Sequence, residues 1–292
     1  MAGIHTTAQL TQLVNTIRAK AIMTMQAKTV FPGVVDRVDV PDGNRSYTEP
    51  KIGGLTAYAL TDGVDMAQAQ QLVDSLITVT PSEIGVQAIF TKLMAKTRTE
   101  NIASLLTKAI TDALKKKQDQ DGIAMMDGFS KYQGTGSGTT LTRAFIANAR
   151  AYITGNATEP FESAEPRCVV HPYSYNDLIT LYADLKVTTS GAGNNGVAGL
   201  PEEFARKYVV GELAGMPIMT SANIPISSNA AKGAVFVKEA VVYAELWGID
   251  IEEEKNASLR GTEINGTMCY AYGERHDHGG VELNVGATEP VS

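Results

Sequence analysis

The apolar positions of the chain follow a helical period most clearly between residues 98 and 126. Seven apolar side chains recur there at intervals of one to four residues along one face: Ile102, Leu105, Leu106, Ala109, Ile110, Ala113 and Leu114. This spacing predicts one long helix of roughly forty ångströms, at about 1.5 Å per residue. Gly122 is expected to interrupt it, because glycine in a helix interior costs about 1 kcal/mol relative to alanine.

Upstream of this helix the patterns are shorter. Residues 8–27 carry apolar side chains at helical spacing and predict an amphipathic N-terminal helix. Residues 30–54 are punctuated by proline and glycine and predict extended chain, with short strands at 34–35 and 38–40.

Residues 47–79 show the pattern of a strand, a polar turn and a second strand. β-Branched and aromatic side chains predict strands at 55–60 and 71–79, and Asp62-Gly63 predicts the turn between them. The hairpin is too polar for a core element, so we expect an arm that projects from the body.

A glycine-rich loop, residues 133–139, follows the long helix and is expected to be a flexible connector. Thr139 or Thr140 is then predicted to cap a helix that ends at Thr154. Gly155 is expected to stop that helix, because glycine is favoured directly after a helix C-terminus.

The rest of the chain is rich in short apolar runs. A buried strand is predicted at 168–170, then a helix with Pro172 in its first turn, then a long soft segment at 188–199. A short helix is predicted at 238–246. Further strands are predicted at 208–210, 216–220, 234–237, 249–252, 262–272 and 281–285. Because strands and helices do not alternate regularly, the predicted class is α+β.

Composition narrows the classes of function. The 292 residues are 43% apolar, enough for a core in one large domain or two ordinary ones. The net charge of −7 gives no general attraction to nucleic acid phosphates. No apolar run reaches the roughly 18–20 residues of a membrane span, and a secretory signal is not expected. Cys168 and Cys269 are interpreted as reduced core thiols of a protein made in a cytoplasm, with a disulfide left open.

The segment ERHDHGG, residues 274–280, is the first candidate for chemistry. It holds two of the four histidines, His276 and His278, which a strand would place on one face. A zinc site needs at least one further ligand, and His5 and His171 are distant in sequence. A metal site is therefore the less favoured interpretation.

The favoured interpretation of this segment is a polar hairpin turn between strands at 268–272 and 281–285. Gly279-Gly280 would supply the backbone freedom of the turn, and Glu274 and Asp277 are ordinary residues in such a place. The two histidines would then at most tune a contact between subunits at about pH 6–7.

Gly134, Gly136 and Gly138 resemble a phosphate-cradling loop in composition. A P-loop has a lysine after its last glycine and a strand before its first, and we predict neither here. Nucleotide binding is therefore not expected.

Two other sequence patterns are weak candidates for a functional site. Cys168 and His171 are close in sequence, but an apolar strand buries the thiol and raises its pKa, which argues against a nucleophile. The run Lys115–Lys117, with Asp119 and Asp121 after it, is expected to be a solvated helix face.

The order of these elements resembles the major capsid proteins of tailed bacteriophages, which have the Hong Kong 97-type fold. The most specific stretch is 209–225, VVGELAGMPIMTSANIP. It is similar to the family's pattern of glycine, then glycine-x-proline-isoleucine, then serine-x-x-isoleucine-proline. Weaker similarities lie at 60–65, 168–178, 233–240, 260–273 and 280–283.

The resemblance implies a division of the chain into five parts. These are an N-terminal helix and N-arm at 1–45, an extended E-loop hairpin and return strand at 46–90, a peripheral (P) domain with the spine helix at 91–139, an axial (A) domain at 140–237, and strands returning to the P domain at 238–292. Some family members form lysine–asparagine cross-links; Lys51 has no identifiable partner, so that chemistry is not carried over.

The function that the resemblance implies is structural and not enzymatic. The chain is expected to self-assemble into pentamers and hexamers of an icosahedral shell around double-stranded DNA. No catalytic, cofactor-binding or metal-binding residue is expected. The expected partners are other copies of the chain, DNA bound non-specifically, and portal, scaffold and decoration proteins, with no membrane. The expected location is the virion, after synthesis in the bacterial host cytoplasm.

Two alternatives stay open. An encapsulin-like nanocompartment shell shares the fold and would bind a cargo peptide in an inner apolar groove, so the predicted helix at 8–27 is the feature to inspect. A metal-dependent enzyme built on His276 and His278 is the alternative from another class.

Overall fold

The computed structural model describes residues 29–63, 65, 69–71, 74–97, 102–157, 159–187, 212–258 and 260–290. Four of the features considered above lie outside these ranges: His5, the predicted helix at 8–27, the soft segment at 188–199 and the predicted strand at 208–210.

The described helices are α1 Lys92–Thr97, α2 Ile102–Met125, α3 Arg143–Thr154 and α4 Pro172–Val187. The strands are β1 Asp36–Asp39, β2 Tyr47–Ile52, β3 Asp74–Val79, β4 Ser82–Thr91, β5 Tyr132–Gln133, β6 Arg167–Val170, β7 Glu212–Leu213, β8 Met216–Thr220, β9 Ile226–Ser227, β10 Ala230–Phe236, β11 Val241–Asn256, β12 Gly261–Glu274 and β13 Gly280–Gly286. The α+β class is confirmed. No described helix combines the length and apolar character that crossing a membrane requires.

The strands form two main sheets and a separate hairpin. The first sheet has the order β1-β11-β12-β4, and the second the order β5-β13-β10-β6-β8-β7, with β9 paired to β10. The chain crosses from the first sheet to the second between β12 and β13. The predicted hairpin turn at ERHDHGG is therefore wrong, because the strands on its two sides belong to different sheets.

The long helix α2 packs across one face of the first sheet. Ile110 and Leu114 are buried there, and a Cβ added to Gly266 on β12 would overlap Ile110. Gly122 does not interrupt α2, contrary to the prediction. A Cβ at that position would overlap the ring of Phe31, so this glycine serves close packing of the N-terminal segment on the helix.

Two predictions of helix position are wrong. Residues 238–246 form a single 3-10 turn and the start of β11, because that segment pairs with β1 on one side and β12 on the other. Helix α3 begins at Arg143 with Thr142 as its N-cap residue. The Thr139 hydroxyl instead hydrogen-bonds to the Thr135 hydroxyl at 2.9 Å.

The glycine-rich loop is folded onto the end of β13. The short strand β5 precedes it, which the sequence did not predict. Gly134, Gly136 and Gly138 have φ values of +90°, +93° and +95°, a region that favours glycine. The Gly136 N–H donates to the Asn284 carbonyl at 3.1 Å. The prediction of a free, flexible connector therefore does not hold.

One hydrophobic core spans both sheets. The Phe31 ring lies 5.5 Å from Phe236 of the second sheet and 5.5 Å from Tyr272 of the first, centroid to centroid. A second cluster, which we call the root cluster, lies where the hairpin meets the first sheet. Its buried members are Val40, Val79, Val242 and Ala244.

Strands β2 and β3 form the predicted hairpin, with other boundaries than expected. Residues 55–60 are not a strand: the Thr56 N–H donates to the Gln70 side-chain oxygen at 2.8 Å instead of to a partner strand. The predicted turn at Asp62-Gly63 is confirmed. Every described residue from 52 to 71 is exposed, as a projecting arm requires.

Candidate functional site

Residues 274–278, which we call the junction, connect the two sheets and contact several other elements. Arg275 ion-pairs with Asp36 of β1 at 2.8 Å and with Glu49 of β2 at 2.9 Å. Its backbone N–H donates to the Ala240 carbonyl at 2.8 Å. One side chain therefore ties the start of β1 and the hairpin to the end of β12.

His276 extends this network to the loop between α3 and β6. Its Nδ1 lies 3.3 Å from one Glu159 carboxylate oxygen, and the Lys51 ammonium lies 2.5 Å from the other. The imidazole also stands edge-on to the Phe161 ring, with centroids 5.5 Å apart. Burial raises the pKa of Glu159, but Lys51 and His276 outweigh it and hold that pKa below its usual value.

The remaining junction side chains contact α3 and the connection between α2 and β5. Asp277 accepts hydrogen bonds from the backbone N–H of Ser130, at 2.7 Å, and from its hydroxyl. His278 Nδ1 lies 3.3 Å from the Tyr152 hydroxyl. Burial, and then the neighbouring Asp277, raise the pKa of the Glu274 carboxyl.

The two histidines that suggested a metal site thus face different partners. His276 engages Glu159, and His278 engages Tyr152. Within the ranges that the structure describes, no three His, Cys, Asp or Glu side chains are grouped as metal ligands.

Gly279 and Gly280 allow close packing of neighbouring side chains. They do not supply the unusual backbone conformation that we predicted. Gly280 has a φ of −140°, which any residue adopts. A Cβ on Gly279 would lie 2.8 Å from the Cβ of Ala240, and one on Gly280 would overlap the Phe129 ring.

Asp119 is the polar centre that sequence reasoning missed. It is fully buried, although we predicted a solvated position. One carboxylate oxygen accepts from the N–H groups of Val30, at 2.8 Å, and Phe31, at 2.7 Å. The other accepts from the Ser221 hydroxyl at 3.0 Å and the Asn223 amide at 2.7 Å. Asp119 therefore joins the N-terminal segment, α2 and the chain after β8.

A sequence signal for this centre exists, but not near Asp119. Ser221 and Asn223 belong to the SANIP motif that resembles the capsid family, and both are buried polar residues that need partners. Asp121 is half-buried and accepts from the Tyr270 hydroxyl at 2.9 Å. The exposure of Lys115–Lys117 is confirmed.

Cys168 and His171 do not form a nucleophilic pair. Burial raises the pKa of the Cys168 thiol to about 12 and lowers the pKa of His171. His171 Nδ1 instead accepts from the Tyr173 N–H at 3.1 Å. Cys168 and Cys269 are free thiols in different sheets, which answers the question of a disulfide that the sequence left open.

The hairpin carries a set of exposed large apolar side chains, which we call the hairpin surface. Their exposed fractions lie between 54% and 68%. The members are Ile52, Leu55, Tyr58, Leu60 and Leu76. Concentrated apolar exposure of this kind marks an interaction site more often than a free surface.

Four features together characterise the class of fold: the long helix, the two sheets, the hairpin and the crossing at the junction. The protein has the Hong Kong 97-type fold of the tailed-bacteriophage capsid proteins.

Three solved structures illustrate the likeness. A chain of the cyanophage P-SCSP1u capsid is 17% identical, with a TM-score of 0.67 over 93% of this chain and 92% of that one. A chain of the acid-stable capsid of Helicobacter pylori bacteriophage KHP30 is 10% identical, with a TM-score of 0.75 over 99% and 100%. A capsid chain of Myoviridae phage XM1 is 13% identical, with a TM-score of 0.67 over 98% and 100%. No protein-family model and no curated protein matches the sequence.

Proposed function

We propose that the protein is the major capsid protein of a tailed bacteriophage. Copies of it form the pentamers and hexamers of an icosahedral shell that encloses double-stranded DNA. The observation that carries the proposal is the extent of the likeness. Two of the capsid chains are matched over their whole length in those structures by nearly all of this chain, so the similarity is not confined to one part of either molecule.

The hairpin surface supports this role. An ordered arm with exposed apolar side chains gains free energy only when a partner covers it, because ordering the chain costs entropy that exposed contacts do not repay. A neighbouring copy of the same chain is the partner that a closed shell provides at every position.

The remaining roles in the proposal are those that the resemblance to the capsid family implies. The function is structural and not catalytic, and the protein is located in the virion after synthesis in the host cytoplasm. The five parts 1–45, 46–90, 91–139, 140–237 and 238–292 act as N-arm, E-loop, P domain, A domain and returning strands. Portal, scaffold and decoration proteins and packaged DNA complete the set of partners.

Electron microscopy with light scattering tests the proposal. The purified chain, alone and co-expressed with the other virion proteins, should form closed shells with pentameric and hexameric units. A strictly monomeric protein under both conditions would contradict it.

The contents of the particles separate a phage capsid from a nanocompartment. Particles from cells that also make the packaging proteins should hold nuclease-protected double-stranded DNA. Shells that hold a co-purifying enzyme and no DNA would favour the nanocompartment. The segment at 8–27, which would bear on the same question, lies outside the described residues.

A further inference from the structure

Two charged side chains on the inner face of β2 contact two different parts of the body. Glu49 and Lys51 are two residues apart, so they point to the same side of the strand, and both are half-buried. Glu49 ion-pairs with Arg275 of the junction at 2.9 Å. The Lys51 ammonium lies 2.5 Å from a Glu159 carboxylate oxygen. The body therefore holds the hairpin at two further points beyond the root cluster.

These two points belong to different sheets. Arg275 directly follows β12 of the first sheet, whereas Glu159 lies in the loop between α3 and β6, a strand of the second sheet. That loop is fixed to the end of α3, because the Phe161 N–H donates to the Ile153 carbonyl at 3.3 Å. The pair of Lys51 with Glu159 thus connects the hairpin to the part of the body that contains the second sheet.

The order of the charges fits one placement of the hairpin. The body presents a base opposite Glu49 and an acid opposite Lys51. A slip of β2 by two residues would keep the same face inward. In one direction the slip would place Glu49 beside Glu159, and in the other it would place Lys51 beside Arg275. Like charges would then face each other, so the pattern disfavours both alternatives.

The Glu159 carboxylate is held in place before Lys51 reaches it. Its other oxygen lies 3.3 Å from His276 Nδ1, and its backbone N–H donates to the Asn156 side-chain oxygen at 3.3 Å. The exposed fractions of the two paired side chains are 32% for Lys51 and 20% for Glu159. A fixed, partly buried partner loses less side-chain entropy on pairing and is screened less than a surface charge.

We propose that Glu159 is a positioning residue for the hairpin: its pair with Lys51, which we call the brace, fixes the direction in which the hairpin surface projects from the body. The root cluster is the pivot, and the brace lies beyond it along β2. A rotation about this pivot moves the far end of the hairpin further than its strands. The brace is a property of the single chain. It goes beyond the proposed function and holds whether or not the chain forms shells.

Pulsed electron spin resonance distances on the full chain test the brace. One nitroxide is placed on the outer face of the hairpin at Leu76→Cys and the other on α3 at Asn148→Cys, and both positions are exposed. Cys168 and Cys269 are buried and stay unlabelled in the native protein. Labelled chain is diluted into an excess of unlabelled chain, so that each distance is measured within one subunit. The distance distribution should have a single narrow peak.

Charge reversal assigns the peak to the brace. Lys51→Glu and Glu159→Lys each bring like charges together, so each should broaden the distribution by about twofold or more. The double variant that carries both changes restores opposite charges and should recover most of the original width. Such a recovery is not expected from substitutions that only disturb the fold. Lys116→Glu, at an exposed lysine of α2, makes the same change of charge and should leave the width unchanged.

Two results would overturn the brace. One is a distribution as narrow as the original in both single variants. The other is a double variant as broad as the single ones, although hydrogen exchange shows that α2 is intact. If a reversed variant loses α2 protection and is therefore misfolded, Lys51→Gln and Glu159→Gln decide, because they remove the charges without adding repulsion. Unchanged widths in both of these variants would overturn the brace as well.

Discussion

At the scale of single residues, the buried carboxylate of Asp119 is the most consequential feature. It accepts hydrogen bonds from four groups in two separate segments, and all four donors lose their acceptor together if it is removed. A buried donor without a partner costs about 1–3 kcal/mol, so this one side chain holds the N-terminal segment on α2.

Asp119→Ala is expected to lower the free energy of unfolding by about 3–5 kcal/mol, because several buried donors are left unpaired. Urea titration followed by helical circular dichroism measures the loss. Lys116→Ala, at an exposed position of the same helix, is the control and should change stability by less than about 0.5 kcal/mol. A loss below about 1 kcal/mol for Asp119→Ala would show that the hydrogen bonds to the Asp119 carboxylate are not important for stability.

At the scale of elements, the two faces of the hairpin differ in what they contact. Its inner face meets the junction through Glu49 and Lys51 and packs on the root cluster through Tyr47, Ile77 and Val79. Its outer face carries Ile52 and Leu76 at 62% and 68% exposure. These two side chains are mostly exposed, so they add little burial to the fold of the single chain. The apolar character of the outer face therefore bears on association and not on folding.

Replacing Ile52 and Leu76 by serine should leave the free energy of unfolding of the subunit within about 0.5 kcal/mol of wild type. The same double variant should lower the yield of shells by about tenfold or more, because each fully buried apolar side chain is worth about 1.5–3 kcal/mol. Light scattering and electron microscopy measure the yield.

Thr48→Ser with Thr78→Ser is the matched control for this experiment. These residues face each other on the same two strands and are exposed. The control should assemble as the wild type does. Normal assembly of the Ile52 and Leu76 variant would show that the hairpin surface is not an assembly contact.

At the scale of the whole molecule, one core joins the two sheets. Phe31 contacts aromatic rings of both sheets, and each sheet also buries one cysteine, Cys269 in the first and Cys168 in the second. A shared core predicts that the two sheets unfold together and not as separate units.

Pulsed thiol labelling in urea, read by mass spectrometry, should therefore expose both cysteines with the same midpoint. In native protein at about pH 8 neither thiol should react, because thiolates are the reactive form. Burial raises the pKa of Cys168 to about 12, and burial and Glu83 raise that of Cys269. A clearly lower midpoint for one cysteine would mean that its sheet unfolds independently.

Much of the architecture could be predicted because it depends on local patterns. The long helix, the buried strand at 168–170, the helix after Pro172 and the Asp62-Gly63 turn follow from periodicity, proline and glycine chemistry. The segment at 238–246 could not be predicted in this way, since pairing with β1 and β12 overrides its helical appearance.

The sequence by itself determined the α+β class and the main helix, because hydrophobic period and turn residues act within a few positions of the chain. Only the tertiary structure decided what ERHDHGG and Asp119 do. Their partners lie up to 239 positions away in sequence, as for Arg275 and Asp36. A polar side chain has the same local pattern whether water or a distant buried group satisfies it, so burial and pairing appear only when the sheets pack.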